Sequence, residues 1–257
     1  MIPKTIHYCW FGRNKKSDLI EKCIQSWELH LPDYDIIEWN EENFDIEANI
    51  FMSNAYKKKK WAFVSDYARA YVLYKFGGIY LDTDVEIRCN LDRFLDHGAF
   101  TGFEDYGFPF TALWGSRKEH NWPRSILNYY DNLDGFDEKT NTRIVSEFLI
   151  DHYKVDPFRN EIQKLEDEIC IYPSNFFCLN IEQNYAVHHF EGSWHNEDIN
   201  DYNSLLLKDY YKIKFLSYYD KEKIIEELYK DKWFSIRDLV AFILKKIKKN
   251  ISHIKKC

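Results

Sequence analysis

Nowhere among the 257 residues do eighteen uncharged apolar residues follow one another, so a membrane-spanning helix has no support. No leader with a charged start, an apolar middle and a small-residue end precedes the first expected strand. Secretion is therefore not expected, and the sequence is read as cytosolic. The six cysteines (Cys9, Cys23, Cys89, Cys170, Cys178 and Cys257) contain no CxxC pair and no regular spacing, which fits reduced thiols better than a disulfide frame or a zinc site. Most of them are expected in the core. There is also no internal repeat and no low-complexity linker, so no second domain is expected before the tail. What the chain does have is apolar mass: 45% hydrophobic and 18% aromatic residues can bury a large core and argue against disorder of the whole. The net charge of −7 is unevenly spread. From Lys232 onward eight basic residues face Asp238 alone, a segment of +7 behind a body of −14. An acidic body argues against nucleic acid as the partner.

"IPKTIHYCWFG" reads as a first strand running into a loop at Gly12. Leu19, Ile20, Cys23, Ile24 and Trp27 recur at helical spacing after Ser17 or Asp18, and Pro32 marks the helix exit. "DIIEW" is a second strand, "EENFDIEANI" a connection, and "WAFVSDYARAYVLYKF" a helix closed by a left-handed cap at Gly77-Gly78. "IYL" follows as a short buried strand. "FTGFE", "FTALWGS" and "AVHHF" are further strands, and residues 123–132 and 142–153 further helices. Strands interleaved with helices imply an α/β layered fold with a mainly parallel sheet.

Where the "IYL" run stops, "YLDTDVE" sets Asp82 and Asp84 one residue apart. If the backbone stays extended, both carboxylates lie on one side. Two hard oxygen donors there suit a Mg²⁺ or Mn²⁺ ion that also holds phosphate oxygens. The plain alternative is a polar loop. An EF-hand loop is excluded because Ile87 stands where Gly is needed after Glu86, and Glu86 itself does not fit an aspartyl-nucleophile phosphatase motif. On the preceding helix Ser65, Asp66 and Arg69 share one face. They form either an ordinary surface ion pair or a carboxylate and forked guanidinium that hold sugar hydroxyls in a cleft. The short link through Gly77-Gly78 lets the two motifs meet.

"WAFVSDYARAYVLYKFGGIYLDTDVE" resembles the signature of the DxD sugar transferases of glycosyltransferase family 32, and the core of the large clostridial glucosylating toxins. "IPKTIHYCWFG" and "YAVHHFEGSW" are similar to that family's other two blocks, in the same order, while residues 100–180 are loosely covered. The resemblance implies a GT-A fold, here expected over 1–231 with 232–257 as a tail, and a nucleotide-sugar donor, a UDP-hexose by analogy with bacterial relatives. It places Trp10 under the nucleobase, for which an indole is a good platform, core packing being the alternative. Asp66 and Arg69 match donor-sugar contacts, Asp82 an aspartate near ribose and metal, and Asp84 the direct metal ligand. His189 resembles the late metal-binding histidine; Ser193 and Trp194 would close the diphosphate side, and Glu191 has no clear place. Adjacent strand residues face opposite ways, so only one of His188 and His189 is expected to be a ligand. An imidazole beside two carboxylates favours Mn²⁺ over Mg²⁺.

The expected activity is hexose transfer with retention to a saccharide acceptor, lipid-linked in capsular or surface polysaccharide synthesis. Asp66, Arg69 and Asp84 are the expected catalytic residues. A metal-dependent phosphoester hydrolase and a non-catalytic sugar-binding protein are the alternatives. Thr111 and Trp114 line either the acceptor side or the core, and the run Lys57 to Lys60 reads as a solvated face, the alternative being a patch that attracts an anionic acceptor. In "WFSIRDLVAFILKKIKKNISHIKKC" apolar residues from Ile236 to Ile254 recur by three and four, with lysines off the stripe. This is the pattern of a helix lying on an anionic membrane, here the inner face of the cell membrane, or of a closing helix packed on the domain.

Overall fold

The computed structural model describes residues 1–182, 184–191 and 204–211. The chain divides after Leu206, and the architecture below is that of the first unit, Met1–Leu206. In chain order it runs β1 (Thr5–Cys9), α1 (Asp18–His30), β2 (Asp35–Trp39), α2 (Ile50–Lys57), α3 (Trp61–Phe76), β3 (Gly78–Leu81), β4 (Val85–Ile87), β5 (Ala99–Gly102), β6 (Leu113–Ser116), α4 (Asn121–Asp131), α5 (Asn141–Tyr153), β7 (Gln163–Lys164), β8 (Ile169–Tyr172), α6 (Ser174–Phe177) and β9 (Ala186–His188).

Seven strands form one sheet in the order β2-β1-β3-β6-β5-β8-β7, and β4 pairs with β9 in a separate ribbon. β1 is parallel to β2 and β3, and β5 to β8, whereas β6 and β7 run against their neighbours. Five of the seven strands therefore share one direction, the mostly parallel sheet flanked by helices expected of a GT-A architecture. Side-chain alternation splits the core in two. Tyr80 and Trp114 face α3, α4 and α5, while Ile79, Leu81 and Leu113 face α1 and the β4–β9 ribbon.

The local reasons are ordinary ones. Ser17 caps α1 by accepting the Ile20 N–H, and Trp27 is fully buried on its inner face. α3 is buried on most of its surface and ends on Gly77, whose N–H bonds Leu73 O. Gly77 sits at φ 70°, ψ −179°, a region open to glycine alone; the expected left-handed cap is thus a positive-φ but extended one. A Cβ there would come within 2.6 Å of Lys118 N.

The structure also moves several expected elements. "FTGFE" forms a strand only through Gly102, and "FTALWGS" only from Leu113. "EENFDIEANI" is not a plain connection, because Asn49 caps α2 by accepting the Met52 N–H. β4, β7 and β8 were not expected. β8, "ICIY", is buried at all four positions and so shows no alternation to read.

Candidate active site

Departing from the end of β1, the chain turns to one side to form β2 and then returns to the other side to form β3. This reversal opens a crevice at the carboxyl ends of β1 and β3, the place where open α/β sheets bind ligands. Trp10 follows β1 and Asp82 follows β3, so the topology brings both to that crevice. Trp10 is half-buried, not sealed in the core. Its indole N–H donates to Asn14 O at 2.8 Å, the Lys16 ammonium lies 5.4 Å over its ring, and it shares a small cleft with Arg13, Glu38, Asn40, Glu41 and Glu42.

α3 supplies the floor. Arg69 Nη2 lies 3.1 Å from Asp66 Oδ1 and 3.0 Å from Asp82 Oδ1, and Nη1 donates to Asp82 Oδ2 at 3.3 Å. The guanidinium also stands 4.7 Å over the Tyr80 ring. The Asp66 and Arg69 side chains are each 8% exposed, which rules out the surface ion pair. Burial pushes the Asp66 carboxyl up to about 7, against the pull of Arg69 and helped by Asp82. Burial works against the Arg69 charge, but Asp82, Tyr80 and Asp66 more than offset it and hold the guanidinium protonated.

The extended backbone expected between the two aspartates is not found. Val85 N–H donates back to Asp82 O at 3.1 Å, closing a tight turn. The turn sends the carboxylates to separate partners. Asp82 joins Arg69, while Asp84 Oδ2 accepts the Glu191 N–H at 2.9 Å and Oδ1 lies 3.4 Å from His188 Nε2. Burial alone would raise the Asp84 pKa, but His188 and the Glu191 N–H outweigh it and keep the carboxylate ionised. The same pairing, against burial, holds the His188 imidazole well above the ordinary histidine range.

The His189 backbone N–H donates to Asp84 O at 3.0 Å, but its ring turns to Glu86, with Nε2 2.9 Å from Glu86 Oε2. The cause is the alternation that already required the two histidines to diverge. Among the described residues, no three His, Cys, Asp or Glu side chains converge as a metal site. In donor chemistry Asp82 and the ionised Asp84 suit a divalent ion that also takes phosphate oxygens, each being a hard carboxylate, although the turn gives each its own protein partners. With oxygens as the donors among the described residues, Mg²⁺ fits as well as Mn²⁺. Ser193 and Trp194 lie outside the described residues.

Glu191 gains a place: its backbone serves Asp84 and its carboxylate accepts from Ser17 Oγ at 2.5 Å, tying the strand exit to the start of α1. Tyr80, beneath Arg69, was missed, although it stands two residues before Asp82 on the same strand face. Thr111 and Trp114 are each 1% exposed and belong to the core. Lys57 and Lys60 form exposed pairs with Glu47 and Glu138, as a solvated face should. The cysteines Cys9, Cys23, Cys170 and Cys178 are free and buried, and Cys89 is free and exposed.

Comparison with known proteins matches residues 17–101 to the family described as "Glycosyltransferase sugar-binding region containing DXD motif". Inositol phosphoceramide mannosyltransferase 3 of Schizosaccharomyces pombe (strain 972 / ATCC 24843) is 30% identical over 149 residues, covering 50% of this chain and 39% of that protein. Inositol phosphoceramide mannosyltransferase 1 of the same organism is 28% identical over 109 residues, covering 38% and 33%. The chain thus spans less than two-fifths of the length of either relative. Among solved structures, galactosyltransferase LgtC in complex with donor and acceptor sugar analogs aligns with a TM-score of 0.42 at 13% identity, over 79% of this chain and 95% of that one. The matched segment runs from the cap of α1 through α3 to β5 and contains Asp66, Arg69, Asp82 and Asp84, so these four residues all lie within the stretch that is similar to a glycosyltransferase sugar-binding region with a DXD motif.

Proposed function

We propose that the chain transfers a hexose, with retention of configuration, from a UDP-hexose to a saccharide acceptor on a lipid carrier, in capsular or surface polysaccharide synthesis. The observation that carries the reading is the buried Asp66–Arg69–Asp82 network at the crevice, next to an ionised Asp84. Such a network costs desolvation, and a hydrolase of phosphoesters has no use for it. A sugar has: Asp66 and the guanidinium edge of Arg69 offer directed hydrogen bonds to its hydroxyls. Trp10 supplies a wall for the base.

In this mechanism Arg69 and Asp66 fix the hexose, and Trp10 fixes the nucleotide, so that the anomeric carbon meets the acceptor hydroxyl in a reactive geometry. Asp82 and Asp84 would hold a divalent ion, whose chemistry there would be charge neutralisation for the leaving diphosphate. The acceptor oxygen bonds the anomeric carbon on the face the diphosphate leaves. The bond from that carbon to the phosphate oxygen breaks, and the acceptor proton passes to the departing phosphate. Asp66 and Asp82 both pair with Arg69, and the mechanism requires neither as a covalent nucleophile. The lipid-linked acceptor draws support from the relatives named for inositol phosphoceramide, and would place the protein at the cytoplasmic leaflet.

The test is a thermal-shift screen of UDP-galactose, UDP-glucose, UDP-N-acetylglucosamine and GDP-mannose with and without Mn²⁺ or Mg²⁺, followed by product analysis. A UDP-hexose plus the ion should give the largest shift. Asp84→Asn should stay folded by circular dichroism and lose release of nucleoside diphosphate by about a hundredfold or more. Full activity in that variant, or free phosphate as the product, would overturn the reading.

A further inference from the structure

We infer that His188 is the positioning residue for Asp84, acting through that carboxylate and not as a donor to the ion. The antiparallel register of β4 and β9 sets His188 opposite Val85, the residue after Asp84. From there its Nε2 reaches Asp84 Oδ1 at 3.4 Å, while the Glu191 N–H holds Oδ2 at 2.9 Å and the His189 N–H holds the Asp84 carbonyl at 3.0 Å. Asp84 sits on a turn, where a free side chain would have its choice of rotamers. Held at both carboxylate oxygens and at its carbonyl, it has one orientation.

The ring has no nitrogen to spare for the crevice. Nε2 faces Asp84, Nδ1 is enclosed away from solvent, and the buried Cys178 thiol is the ring's other polar neighbour, in a side chain that is 11% exposed. A histidine that orients a ligating carboxylate should matter to metal affinity nearly as much as the ligand does, since such outer partners are worth about 10–100-fold. The β4–β9 ribbon, which shares no pairing with the seven-stranded sheet, then has a purpose: it carries the clamp that aims the second aspartate.

The inference rests on the proposed role of Asp84, so the experiment separates the two. Mn²⁺ alone is titrated into the full chain and free Mn²⁺ is read by electron paramagnetic resonance, for the wild type, Asp84→Asn, His188→Gln and His188→Ala. Both His188 variants should bind Mn²⁺ about 10–100-fold more weakly, with Gln, which keeps an N–H for Oδ1, less impaired than Ala. Pulsed electron-spin-echo spectra of the Mn²⁺-loaded wild type should show no directly bound ring nitrogen, and His188→Gln should leave the spectrum unchanged. A directly bound nitrogen in the wild type that disappears in His188→Gln would overturn the inference, and needs no Ala variant to fold. Unchanged affinity in the His188 variants, with affinity lost in Asp84→Asn, overturns the inference alone. Wild-type affinity in Asp84→Asn overturns the reading of the turn itself.

Discussion

Arg69 is surrounded by groups that only a guanidinium can serve together: one nitrogen meets both Asp66 and Asp82, a second meets the other Asp82 oxygen, and the plane lies over Tyr80. A lysine ammonium is a point charge and cannot fork between two carboxylates while stacking on a ring. Arg69→Lys should therefore fold yet lose donor turnover by roughly tenfold to a hundredfold, the worth of one or two charge-assisted hydrogen bonds. Arg69→Ala is a different experiment. It leaves two carboxylates without a cation where the side chains are largely buried, and should cost about 3–5 kcal/mol in urea unfolding. If Arg69→Ala were as stable as the wild type, the network would be solvated and the donor pocket would lie elsewhere.

At the scale of elements, the joint between α3 and β3 is secured from β1. His7 is fully buried, its Nε2 donates to Gly77 O at 2.8 Å, and its Nδ1 accepts the Trp39 indole N–H at 3.1 Å. These two bonds require the neutral ring, and burial lowers the pKa from 6.5 to about 4 despite the bond to Gly77. For a base with a depressed folded pKa, the unfolded chain takes up the proton first as pH falls. The stability of the neutral ring is therefore complete above about pH 6.5 and drains away toward pH 4. Wild-type unfolding free energy should drop by ~2 kcal/mol more between pH 7 and pH 5 than that of His7→Gln, read from urea titrations at each pH. Equal slopes for the two proteins would show that His7 ionises freely. This joint was only half legible in the sequence. Gly77-Gly78 announced a stop and the apolar spacing of α3 announced a helix, because both signals are local. That Asp66 and Arg69 would be buried was not announced, since their face is covered by elements distant in the chain. The aspartate turn was missed for a related reason: an alternating D-x-D reads as extended strand until the bond from Val85 to Asp82 is seen. Which histidine reaches Asp84 is likewise decided by the register of β4 on β9, and no spacing within "VHHF" could supply that.

For the whole molecule, the uneven charge has a consequence independent of the crevice. The segment from Lys232 carries +7 and the remainder −14, so a neutral surface offers the tail little, while an anionic one attracts the tail and repels the body. Residues 232–257 lie outside the described part of the chain, and the prediction rests on their sequence. Ile236, Leu239, Val240, Ile243, Leu244, Ile247, Ile251 and Ile254 would form one apolar stripe on a helix, with Trp233 and Phe234 at its start and lysines beside it. Its longest uncharged apolar run, Leu239 to Leu244, is far too short to cross a bilayer, so the segment would lie in the interface. Each lysine or arginine near an anionic surface contributes about 1 kcal/mol, screened over a Debye length of about 8 Å at physiological salt. Full-length protein should accordingly sediment with vesicles containing phosphatidylglycerol, less so as salt is raised, and poorly with vesicles of phosphatidylcholine alone. Deleting residues 233–257 should abolish sedimentation and leave turnover of a soluble acceptor intact. If the truncated protein sediments as before, or cannot fold, the stripe packs against the protein itself, and the acceptor must be reached without this anchor.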